Sequence, residues 1–148
     1  MTIAQTATTS FKVELLQALH NFGPTTPNVF KIALYTAAAT LNADTPIYSS
    51  SNEVIGGGYT AGGEILTISV TPASGNNTLG IPTAYISFAS ATWAAASFTT
   101  RGALIYNSTN GNRSVAVLDF GADKTVFNDT FQVIFPTATA NSAIVRVS

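Results

Sequence analysis

The chain has no cysteine, a single histidine, a single tryptophan and a single methionine, and only 9% of its residues are charged. Each shortage removes a class of function. Without thiols there are no disulfides, no thiolate nucleophile and no sulfur ligands for zinc. One imidazole, His20, leaves one base for any Ser/His/Asp set, and nothing marks its partners. His20 falls near the C-terminal end of a predicted helix, where a protonated ring interacts favourably with the helix dipole. It reads as a surface or capping histidine.

An ordinary soluble domain is about 25% charged. Here the formal net charge is -1, so no basic field exists to draw in nucleic acid or anionic lipid. Such neutrality fits a poorly charged monomer, or a domain whose surfaces meet other protein. The second reading is preferred, because interface centres are depleted in charge and near-neutral domains tend to associate. Residues 65–100 carry no charge at all, yet Pro72, Gly75, Asn76, Asn77, Gly80 and Pro82 interrupt them. A bilayer-spanning helix needs about 20 predominantly apolar residues in a row. Buried strand and loop are expected there, with no membrane span.

What is present is enough for one domain with its own core: 148 residues, 46% of them hydrophobic. The start, MTIAQTATTS, has neither a basic beginning nor an apolar centre and does not read as a Sec signal. Residues 1–9 lack periodicity and read as an extended polar arm, with Ile3 as its sizeable apolar anchor besides Met1. The rest, 10–148, reads as a single β-rich domain that opens with a helix over 10–22. Ser10 is its N-cap, Glu14 favours the positive end, and Phe11, Leu15, Leu19 and Phe22 form an apolar stripe. Gly23 and Pro24 stop it.

Beyond Pro27 the apolar period changes to two. NVFKIALYT, EILTISV, TAYISFA, RGALIYN, RSVAVLDF, DTFQVIF and SAIVRVS all read as strands. Asn110-Gly111, between RGALIYN and RSVAVLDF, is a strong hairpin signal. The pattern predicts a mainly β fold: an antiparallel β-sandwich, jelly-roll or immunoglobulin-like, of about seven to eight strands with one N-terminal helix.

Motifs that would carry chemistry are incomplete. GGGYTAGG has the glycine spacing of a phosphate loop from Gly57 to Gly62, but Gly63 and Glu64 stand where Lys and Ser/Thr belong. It reads as a tight turn or flexible loop. Asp119, Asp123 and Asp129 lack the ligand spacing of an EF-hand and read as solvated carboxylates. The triplet Asp119-Phe120-Gly121 comes with no other kinase element. Sequons at Asn76, Asn107, Asn112 and Asn128 follow from a composition rich in Asn, Ser and Thr. No catalytic residue, cofactor or metal ligand is expected.

The order of segments FKVELLQALHNF, FKIALYTAAATL, NEVIGGGYTAGG, ATWAAASFTTRGALIYN, SVAVLDFGADK and FQVIFP resembles a family of small structural proteins of tailed bacteriophages. The resemblance runs from about Phe11 to Arg146, and GYTAGG, RGALIYN and LDFG are its distinctive parts. It implies a virion component, assembled in the host bacterial cytoplasm, with a sandwich-like body and no enzymatic activity. Among virion roles a head decoration, or cement, protein is preferred, with the major capsid protein and copies of itself as partners. A tail or tail-fibre-associated protein is the alternative. A carbohydrate- or ligand-binding module using the glycine loop and Trp93 is the third reading. Contact residues are expected at Ile3, Gln5, Phe11, Tyr59 and Trp93, with the arm adding a strand to a neighbour's sheet edge.

Overall fold

A computed structural model describes residues 2–148; Met1 lies outside the described residues. The chain is mainly β, with two antiparallel sheets and one short helix. In order it runs β1 (Thr6–Ala7), α1 (Thr9–Leu16), β2 (Phe30–Tyr35), β3 (Glu64–Leu66), β4 (Ile68–Asn76), β5 (Pro82–Phe88), β6 (Ala91–Asn107), β7 (Arg113–Val133) and β8 (Val145–Val147). The larger sheet has the order β1-β7-β6-β2-β3 and the smaller β4-β5-β8. This is the sandwich that the period-two segments predict.

The β6–β7 hairpin is its spine. Its turn contains Gly111 and Asn112, both with positive φ (66° and 57°), so the left-handed residues are the glycine of the Asn110-Gly111 pair and the asparagine after it. The ladder runs from Asn107↔Arg113 out to Ala91↔Val133. RSVAVLDF and DTFQVIF, expected as two strands, are one. Gly121 (φ 76°) lies within it, so the glycine bends the strand instead of ending it. Register shifts around Ala96 accompany positive φ at Ala95 and Asn128, so bulges curve the far half of the hairpin. EILTISV is divided at Thr67: Leu66 closes a strand of the larger sheet and Ile68 opens one of the smaller. One apolar segment therefore turns the corner between layers.

The larger sheet is covered on both faces. On one side Phe30, Ile32, Leu34, Ile105 and Val115 meet Ile86 and Phe88 of the smaller sheet, together with Phe11 and Phe22. On the other, Ala33, Tyr35, Leu104, Tyr106 and Val117 pack beneath Ile3, Ala39 and Leu41. The second layer comes from loop and N-terminal segment, not from strands.

The N-terminal arm is thereby corrected. Residues 2–9 pack on the body instead of extending from it. Ala4 N–H donates to Leu41 O (2.8 Å) and Leu41 N–H to Thr2 O (3.0 Å), while Thr6 and Ala7 pair with Val117 and Ala116 of β7. Ile3 is buried, with its side chain against Gly102, where a Cβ would come within 2.9 Å of Ile3 Cγ2.

The helix is corrected too: it covers Thr9–Leu16, not 10–22, and its N-cap is Thr8, whose Oγ1 accepts from Phe11 N–H (3.3 Å). It ends in a Schellman motif. Ala18 takes positive φ (58°), Leu19 N–H donates to Glu14 O (3.0 Å) and Ala18 N–H to Leu15 O (3.1 Å). The early stop turns His20 and Phe22 inward, where Phe22 stacks on Phe30 with ring centroids 4.4 Å apart.

Candidate functional site

Four of the five expected contact residues are interior. Ile3 and Phe11 lie in the two cores; Tyr59 and Trp93 are buried together beneath the glycine loop, with ring centroids 6.2 Å apart. Trp93 is 2% exposed, so neither it nor Tyr59 offers a face for a sugar. The carbohydrate reading built on Trp93 and the glycine loop is withdrawn. Gln5 alone is exposed, and its Oε1 accepts from Asp119 N–H (3.4 Å).

The glycine loop is a packing device. Gly57 O accepts from Ser97 N–H (2.8 Å), tying the loop to β6 beyond the reach of β2. A Cβ on Gly57 would sit 1.9 Å from Ser97 O, and one on Gly63 would sit 1.8 Å from Ile32 O. Both residues have positive φ. These glycines permit backbone to meet backbone, and no phosphate cradle is needed to account for them.

The loop is held by a buried carboxylate that the sequence did not reveal. Glu53 accepts from Tyr59 O–H (2.5 Å), Tyr48 O–H (2.7 Å) and Gly62 N–H (2.7 Å). Tyr59 O in turn accepts from Leu34 N–H (2.9 Å), and Tyr106 O–H donates to Gly62 O (2.8 Å). Every donor around the carboxylate points at it, which is the pattern an ionised group needs when buried. Burial, then the nearby Glu53 charge, pushes the Tyr106 phenol up to about 12. Burial first, and then Glu53, raises Tyr35, Tyr48 and Tyr59 further.

A second buried network corrects the placement of His20. The ring is buried, not a surface or capping group, and stacks on Phe11 (4.9 Å). Asn107 Oδ1 accepts from Thr109 N–H and Asn110 N–H, which turns Nδ2 toward His20 Nδ1 (3.1 Å). Nδ1 is therefore an acceptor, and Nε2–H donates to Glu14 Oε2 (2.7 Å). Arg113 Nη1 donates to the other oxygen of Glu14 (2.9 Å). The network joins α1 to the tip of the β6–β7 hairpin.

Among the described residues no group of three or more His, Asp or Glu side chains is placed to hold a metal ion. Asp119 and Asp123 instead flank Arg101, each at 3.7 Å. No helix among these residues is long and apolar enough to cross a membrane.

The outer surface differs in character from these networks. Ile55 is 93% exposed, Leu16 91% and Phe127 86%, and Leu79 and Ile134 are exposed as well. Several strand edges are open among the described residues; two of them are β8, which bonds only to β5, and β7 beyond its β1 pairing, which bonds only to β6. Beside the β8 edge a groove of about 450 Å³ runs along α1, lined by Lys12, Leu15, Leu16, Val145, Arg146 and Val147 among others. Sequence patterning gave no sign of the groove, because it is formed by the two ends of the chain. No family model, curated protein or solved structure matches the chain.

Proposed function

We propose that the protein is a non-enzymatic bacteriophage virion component, a decoration or cement protein that attaches to the assembled head. One observation carries this reading. The buried polar side chains of the two networks are occupied with one another, while large apolar side chains stand exposed on a sparsely charged exterior. An exterior of that kind is suited to protein contact, since the centre of an interface excludes charge and favours apolar anchors. The resemblance of GYTAGG, RGALIYN and LDFG to phage structural proteins supports the particle as the setting. Attachment by a free N-terminal arm is not part of the proposal, because residues 2–9 are used within the body.

The test is co-sedimentation of purified protein with empty heads and, separately, with tail preparations. Binding to heads at a fixed ratio per shell is expected. Binding to tails alone would move the role to the tail, and binding to neither would overturn a virion role.

A further inference from the structure

Among the open strand edges, those of β8 and of the far half of β7 carry complementary side chains, and an open edge invites another strand. The groove between α1 and β8 presents two cations, Lys12 and Arg146, neither with a carboxylate within ion-pair distance among the described residues. The Arg146 side chain donates to the Asn141 carbonyl. The same groove is lined by the apolar side chains of Leu16 and Val147. On the free edge of β7 the features are inverted. Asp129 is exposed with no cation within ion-pair distance among the described residues, and two residues before it stands Phe127, almost fully exposed.

We infer that the free edge of β7 around Phe127–Asp129 in one copy docks into the α1–β8 groove of a second copy. Three complementarities support the choice of occupant. Cations meet a carboxylate, an exposed aromatic meets an apolar groove, and one open strand edge meets another, gaining main-chain hydrogen bonds. The two surfaces differ, so the contact is heterologous: each molecule keeps one groove and one edge free for the next, which generates rings or open chains. The inference concerns contacts between copies and is independent of which particle surface the protein binds.

The test uses the full chain and two variants, Asp129→Lys and the pair Lys12→Glu with Arg146→Glu, followed by sedimentation velocity over a range of concentrations. All three positions are exposed, so unchanged circular dichroism and melting are expected. The unaltered protein should form species larger than a monomer. Each variant alone should associate about tenfold or more weakly, because like charges now face each other across the contact. Mixing the two variants should restore association, since the edge of each then matches the groove of the other. A monomeric parent protein, a variant that associates as well as the parent, or a mixture that stays dissociated would each overturn the contact. A monomer that still sediments with heads would overturn this contact and leave the virion role standing; an assembling protein that ignores heads and tails would do the reverse.

Discussion

Tyr59 shows how much one side chain carries here. Its ring fills the core beside Trp93 and Phe98, and its hydroxyl links Leu34 N–H of β2 to the carboxylate of Glu53. With Tyr48 also donating to Glu53, the phenols and the carboxylate hold one another in place. The consequence is a defined alkaline limit. The folded state keeps Tyr35, Tyr48 and Tyr59 protonated well above the ordinary phenol value, and Tyr106 up to about 12. A folded-state value raised above the unfolded one of about 10 stabilises the fold fully below that pH. That contribution is lost as pH climbs from about 10 through 12 and beyond. Phenolate absorbance followed alongside circular dichroism should therefore show these four tyrosines ionising together with unfolding. Their full ionisation near pH 10 in a protein that stays folded would contradict the buried arrangement. Neither Glu53 nor His20 was legible as a buried group in the sequence. Glu53 stands among polar loop residues, and His20 sits in what reads as a helical stripe. One partner of His20, Asn107, lies far along the chain, and the partners of Glu53 (Tyr48, Tyr59 and Gly62) are near in sequence but meet one carboxylate only through the path of the loop.

At the scale of elements, period-two patterning recovered the strands whose two faces differ and was weaker where both faces are buried. In β2, Ala33 and Tyr35 are as buried as Ile32 and Leu34, and in β6 Ala103, Leu104, Ile105 and Tyr106 are buried in succession. Such continuous apolar runs indicate cover on both faces, but not what provides it. Part of the cover is the N-terminal segment, which has too few apolar residues to announce itself. It docks through Ile3, two strand residues and the Thr8 cap. Deleting residues 1–9 should accordingly lower the melting temperature sharply or prevent folding. Ile3→Ala alone should cost about 2–5 kcal/mol, the range for truncating a buried aliphatic side chain. Chemical denaturation of both forms gives the measurement. Unchanged stability in the truncated protein would mean that the segment lies on the body without supporting it.

Over the whole molecule, charge is scarce and unevenly used. Arg113 is committed to Glu14, and Arg101 to Asp119 and Asp123. Long-range electrostatics can therefore contribute little to the proposed attachment at a shell, for which shape and apolar contact would have to supply most of the affinity. The exposed apolar residues Ile55, Leu79 and Ile134 come from different segments: the loop before the glycines, the β4–β5 turn and the end of β7. They can thus be altered separately. Replacing each with Asp should leave stability within about 0.5 kcal/mol, because nothing buried is disturbed. Binding to heads is the discriminating measurement. A substitution lying within the attachment face places a charge in a desolvated contact and should abolish co-sedimentation, whereas one outside it should have no effect. Loss of binding in at least one of the three folded variants is the expected result, and its position identifies the face turned toward the shell. Full binding by all three would show that attachment does not use these exposed side chains, and the head-binding proposal would lose its main structural support.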